Sequence, residues 1–174
     1  MSETVELIDI YDENRNKTGL VLPRGTFLEP GRFQIYALAI LQNADGRYLI
    51  TQRSMNESWG AGWWEVPGGG VLAGETPQVS IVREIGEEVG LDISDAPMEL
   101  AYTYTNIDPK RGHNYFTDIY LVHVDFAPED VHLQEEEAVD FRLVTWEDIR
   151  ALGEAGIFLH YNRIAAALGQ SIEA

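Results

Sequence analysis

Residues 83–90 read REIGEEVG and place Glu84, Glu87 and Glu88 within five positions. Offsets of three and four residues share one face of a helix, so a helix here lines up three negative charges along one side. Ile81, Ile85 and Val89 recur every four residues beside them and supply an apolar stripe that must be buried. The ends agree with a helix over about 77–89. Thr76 is a side-chain cap, Pro77 suits the first turn and Gly90 suits the end. Like charges at these spacings weaken a helix. They are tolerated on a solvated face, the usual state of glutamate, or where a cation sits among them. Hard carboxylate oxygens of this kind suit Mg²⁺ or Mn²⁺.

The stretch before the helix, PGGGVLAGE, is too rich in glycine for routine packing. Glycine lets the main chain come close to a ligand and exposes its carbonyls, so the carbonyl of Gly68 is a candidate fourth donor to the same ion. Arg83 stands four residues before Glu87, a spacing that allows an ion pair and leaves other carboxylates for metal.

Gly69, five residues, Glu75, seven residues and then REIGEEVGL from Arg83 to Leu91 resembles the complete Nudix box, residues 69–91, and the lead-in WEVPGG agrees with it. The similarity runs from about Gln34 to Ile149 and is specific in the box and its lead-in. The resemblance implies an α+β Nudix fold, a mixed β-sheet sandwiched between helices. It also implies hydrolysis of a diphosphate linkage, commonly in a nucleoside diphosphate attached to another group. By the same resemblance Glu84, Glu87 and Glu88 bind the divalent metal with the Gly68 carbonyl assisting, while Gly69, Glu75 and Arg83 hold loop and helix in place. Many members carry a further glutamate just before the last strand. Glu137, in EEEAVDF, best matches it, with Glu135 and Glu136 alongside. The general base stays open between Glu84 and Glu137, and the acidic run also reads as a solvated loop.

LIDIYDENRNKTG, the pair Arg24-Gly25 and the later QRS resemble the isopentenyl diphosphate isomerase branch of the superfamily. This implies an N-terminal strand extension, residues 1–30, on a single domain spanning 1–174, and it makes a homodimer through those strands reasonable. The isomerase chemistry uses a cysteine. This chain has none and continues after the Trp64 segment as Val66-Pro67-Gly68-Gly69. Three functions stand: a metal-dependent diphosphate hydrolase, a Nudix-fold module that binds a nucleotide or metabolite without catalysis, and, least supported, an isomerase. The unbroken box favours the hydrolase.

Charge narrows the partners. With 29 acidic and 12 basic residues the net charge is −17, which argues against nucleic-acid polymers and anionic membranes. A small diphosphate substrate remains compatible when cations bridge it to the protein. The longest apolar run, Ile35 to Leu41, has seven residues, too short to span a bilayer. The N-terminus lacks a secretory pattern, so a cytoplasmic protein is expected.

The remaining chain reads as strands at VELIDIYD, RFQIYALAILQ, RYLITQR, MELAYTYTN, YFTDIYLVHVDF and AVDFRLVTW, with NADG a hairpin turn and helices at WEDIRALGEAG and YNRIAAALGQ. Arg53, at a strand end, is either a substrate-phosphate ligand or a surface ion pair. Trp59, Trp63, Trp64, Phe33, Tyr102 and Tyr104 are either base-stacking groups or core. The four histidines show no metal-ligand spacing and receive no role.

Overall fold

The computed structural model describes residues 4–172; the first three residues of the N-terminal extension lie outside the described residues. A two-stranded hairpin, β1 (Leu7–Tyr11) and β2 (Lys17–Pro23), precedes the main sheet. That sheet contains β3 (Gln34–Gln42), β4 (Tyr48–Arg53), β5 (Trp64–Glu65), β6 (Gly68–Gly70), β7 (Met98–Asn106), β8 (Tyr115–His123) and β9 (Ala138–Val144). Its order is β5-β4-β3-β8-β7, with β6 added to β3 and β9 to β4. The central pair, β3 and β8, is parallel, and the other pairs are antiparallel. Helices α1 (Pro77–Val89), α2 (Trp146–Glu154) and α3 (Tyr161–Ala167) complete the fold.

Alternation along β3 divides the core. Ile35, Ala37, Ala39 and Leu41 face Ile81, Ile85 and Val89 of α1. Ile40, with Ile119 of β8, instead joins Ile149 of α2 and Ile164 of α3. The mixed sheet therefore lies between α1 on one face and α2 and α3 on the other, the sandwich expected from the sequence. The α1 boundaries coincide with the expected 77–89. The Thr76 hydroxyl accepts from the Val79 amide at 3.2 Å, and Gly90 closes the helix at φ 73°, a left-handed geometry that glycine adopts at no cost.

The NADG turn forms, but the hairpin it was expected to make does not extend. β3 and β4 pair only at Gln42–Tyr48. The reason is competition for one edge of β3. β6 occupies it at Tyr36–Leu38, so β4 diverges and finds β9 along most of its length.

The N-terminal hairpin is fastened by its turn. Arg15, at φ 64°, sends its guanidinium to Asp118 of β8, donating at 2.7 Å and 2.5 Å to the two carboxylate oxygens. Asp118 is 2% exposed and also accepts from the Thr103 hydroxyl at 2.9 Å. Arg15 lies over the Phe116 ring at 5.7 Å.

Candidate metal and diphosphate site

A six-residue loop, 71–76, turns the chain from the glycine strand into α1, so the acidic face of the helix is presented back to β6. Gly68 stands at φ 155°, where a side chain would run into the Ala37 carbonyl and Leu38. A methyl group on Gly69 would fall 2.5 Å from Glu84 Oε1. Two glycines of the lead-in are thus required by close approach, one to the β3 backbone and one to a carboxylate of α1.

Arg83 organises the junction. Its Nε donates to Glu75 Oε1 at 2.6 Å and its Nη2 to the Gly70 carbonyl at 3.2 Å. Its Nη1 reaches Glu84 at 3.0 Å and Glu87 at 3.3 Å. Burial opposes ionisation of Glu75, but the Arg83 guanidinium and the Leu72 amide outweigh it and hold the carboxyl below its ordinary range. Gly69, Glu75 and Arg83 are therefore brought together at the loop–helix junction.

The three glutamates of the helix separate into a pair and an outlier. Glu84 is 7% exposed and neighbours Glu88 closely enough for each to shift the other's titration. Glu88 keeps an edge in solvent while its carboxyl is enclosed, and Oε2 accepts from the Gly68 amide at 3.4 Å. Glu87 is exposed and turned to Arg83. Among the described residues no three acidic or histidine side chains already converge as a closed metal cage. The enclosed carboxyls are nevertheless strained electrostatically. Burial raises Glu84, with Arg83 opposing. Burial, followed by Glu84, Glu137 and Glu65, raises Glu88 well above the usual carboxylate range. Among the described residues no arginine or lysine pairs with Glu88.

Glu137 lies in the turn immediately before β9, exposed and within electrostatic reach of Glu88 and Glu65. Glu65 received no role from the sequence. Burial pushes it up to about 7, and the Arg53 guanidinium only partly offsets that. The sequence signal was present in WEVPGG, but only folding brings Glu65 within range of Glu88 and Glu137. Arg53 is placed in ion pairs with Glu57 and Glu65 at 3.3 Å each and donates to the Trp59 carbonyl.

On the far face of β3 from α1, the sheet is left bare beside the start of α3. A cleft of about 590 Å³ opens there, walled by Tyr36, Leu38, Trp59, Tyr104, Tyr115 and His160 among others. Leu38 and Tyr36 are the register partners of Gly68 and Gly70, so the cleft floor adjoins the glycine strand. Trp59 is 58% exposed and lies 6.1 Å from the His160 ring. Of the aromatics singled out in the sequence, Trp59 and Tyr104 reach this cleft, whereas Trp64 and Phe33 are core. His113 and His160, which carried no sequence signal, also line it.

His160 yields a pH prediction. Burial, then Arg53 and Arg163, lower its pKa from the ordinary 6.5. The folded state disfavours the protonated ring, so the stability it contributes is full above 6.5 and is lost as pH falls toward the lowered value. His160→Asn is expected to flatten the thermal-melting profile in that window. NMR titration of the ring checks the direction.

The NUDIX domain family matches residues 32–162. An uncharacterised Nudix hydrolase of Listeria monocytogenes is 32% identical over 156 residues, covering 88% of each chain. An RNA pyrophosphohydrolase of Gluconacetobacter diazotrophicus is 28% identical over 132 residues, covering 68% of this chain and 79% of its own. The crystal structure of a Deinococcus radiodurans protein superposes with a TM-score of 0.68 at 23% identity, over 87% of this chain and 91% of that one. The family match spans the sheet, the glycine strand and α1 together, and on that ground the chain belongs to the NUDIX family.

Proposed function

We propose that the protein is a hydrolase that cleaves a diphosphate linkage in a nucleoside diphosphate derivative with the help of Mg²⁺ or Mn²⁺. The observation that carries this reading is the enclosed pair Glu84–Glu88. Two neighbouring enclosed carboxyls, with no cationic partner for Glu88 among the described residues, sit beside a glycine strand and next to an aromatic cleft. The donor set fits a divalent cation: hard oxygens, negative charge in excess, and a Gly69 position that a side chain would fill. Glu84, Glu88 and the Gly68 carbonyl would hold the ion, with Glu87 released from Arg83 as a further ligand. Such an ion, when bound, neutralises diphosphate oxygens and acidifies a coordinated water.

The chain's own groups supply the rest. A water oxygen bonds to one phosphorus, the bridging P–O bond breaks, and a carboxylate accepts the water proton. Glu84 and Glu137 are the candidates for that base. Glu137 favours the role by its exposure, since it can exchange protons with solvent between turnovers. Arg53, part-buried beside Trp59, is a candidate phosphate ligand once it exchanges a carboxylate for substrate. The aromatic walls of the cleft suit a stacked base. The relative named as an RNA pyrophosphohydrolase supports pyrophosphate hydrolysis as the reaction class. A cytoplasmic location belongs to the same reading; no helix of the described residues is long and apolar enough to cross a membrane.

Hydrolysis assays over a panel of ADP-ribose, nucleoside triphosphates, nucleotide sugars and dinucleoside polyphosphates with each metal test the activity. Absence of any turnover defeats it. Metal binding has its own readout. Millimolar Mg²⁺ or Mn²⁺, at about 100 times its Kd, stabilises by about 2.7 kcal/mol, which in a chain of this size raises Tm by about 5–10 °C. An unchanged melting curve argues against the site.

A further inference from the structure

We propose that Arg24, delivered by the N-terminal hairpin, is a substrate-binding residue that grips the diphosphate where the acidic pair meets the aromatic cleft. This rests on the hydrolase reading and adds a residue outside the box and outside the family match at residues 32–162.

Position supports it first. Arg24 follows β2 directly, and its backbone amide is anchored by the Glu6 carbonyl at 2.9 Å. Its guanidinium lies over Gly70: a methyl built there would sit 3.7 Å from Arg24 Nε and 3.8 Å from the Tyr36 ring. Arg24 is also within electrostatic reach of both Tyr36 and Glu84. Tyr36 is a cleft wall, packed edge-on against Tyr115 at 5.1 Å, and Glu84 belongs to the acidic pair. One cation therefore borders both halves of the proposed site, across a glycine that leaves it room.

Availability supports it second. An anionic substrate approaching a chain of net charge −17 needs a cation. Arg83 is committed to Glu75, Glu84, Glu87 and the Gly70 carbonyl. Arg53 can take a phosphate only after giving up Glu57 or Glu65, and it is also tied to the Trp59 carbonyl. Among the described residues Arg24 has one carboxylate partner, Glu6, at 2.7 Å, and the two side chains are 43% and 44% exposed. Exposed pairs of this kind are weak, so a diphosphate with two adjacent anionic groups displaces Glu6 readily, and the guanidinium fork matches phosphate geometry.

Steady-state kinetics of R24Q, R24K and E6Q, with melting curves, test this on whichever diphosphate the wild-type protein hydrolyses. R24Q is expected to raise KM about 10- to 100-fold with kcat within about threefold, R24K to recover part of the loss, and E6Q to leave KM unchanged or lower. A merely structural ion pair would shift Tm alike in R24Q and E6Q and leave KM alone, which overturns the proposal. Calorimetric binding of inorganic pyrophosphate in Mg²⁺ keeps the two readings apart. If the wild-type protein hydrolyses nothing, the hydrolase reading falls. Pyrophosphate binding that R24Q loses still upholds Arg24, and equal binding in both proteins rejects it.

Discussion

Glu88→Gln is expected to lower kcat on the order of 10³-fold and, in metal-free protein, to raise the melting temperature. The two effects have opposite signs because the same charge is useful to a bound ion and costly without one. Glutamine keeps the shape, can still accept from the Gly68 amide through its side-chain oxygen, and offers an N–H to Glu84. What it removes is a carboxylate enclosed beside Glu84, Glu137 and Glu65 with no cationic partner among the described residues, an arrangement that desolvation and repulsion both disfavour. A conventional structural glutamate would show the reverse, falling stability with little change in turnover. Kinetics and thermal melting of the same preparation, with and without Mg²⁺, decide the matter. Near-normal kcat, or a lower Tm without metal, removes Glu88 from the proposed site.

Arg15→Ala carries the largest expected loss of stability. Asp118 is 2% exposed, and its partner donates to both of its oxygens. Breaking a buried ion pair from one side leaves an uncompensated charge, generally at a cost of 3–5 kcal/mol. Arg15 itself is about one-third exposed, so screening reduces the figure to about 2–3 kcal/mol, or a Tm lower by about 5–10 °C. The double variant R15M/D118L should regain most of that, since a packed apolar pair replaces an ionic one without the stranded carboxylate. If R15A melts within a degree of the parent, the hairpin is held by its apolar contacts instead.

Much of α1 was legible because its information is local. Cap, proline, apolar stripe and terminal glycine all lie within fifteen residues, and the structure reproduces the expected bounds. The glycine strand was legible as a place of close approach but not as a strand, because three glycines carry no alternation to read. Sheet partners were not legible. Nothing in RYLITQR says that β6 will occupy the edge its turn aims it at. Neighbouring tryptophans show the same limit: Trp63, just before β5, is 36% exposed, whereas Trp64, in β5, is 3% exposed and packs with Ile149 of α2 and Ile164 of α3. Glu65 escaped for a similar reason. Its raised pKa depends on burial and on Glu57 and Glu137, and no short pattern places those charges near one another.

The parallel seam at the centre of the sheet bears on how the chain is made. Gln34 lies opposite Tyr115, 81 positions later, and the offset holds along the whole pair. At synthesis rates of roughly 5–20 residues per second, β3 waits about 4–16 s for its neighbour. Through that interval Ile35, Ala37, Ala39 and Leu41 have no completed sheet to join, and α1, made partway through it, arrives with its mutually repelling carboxylates. The nascent chain thus passes through a stage in which β3 has β6 and α1 to pack against but one long edge still open, and the emergence of β8 from the ribosome, rather than of the box, closes that edge.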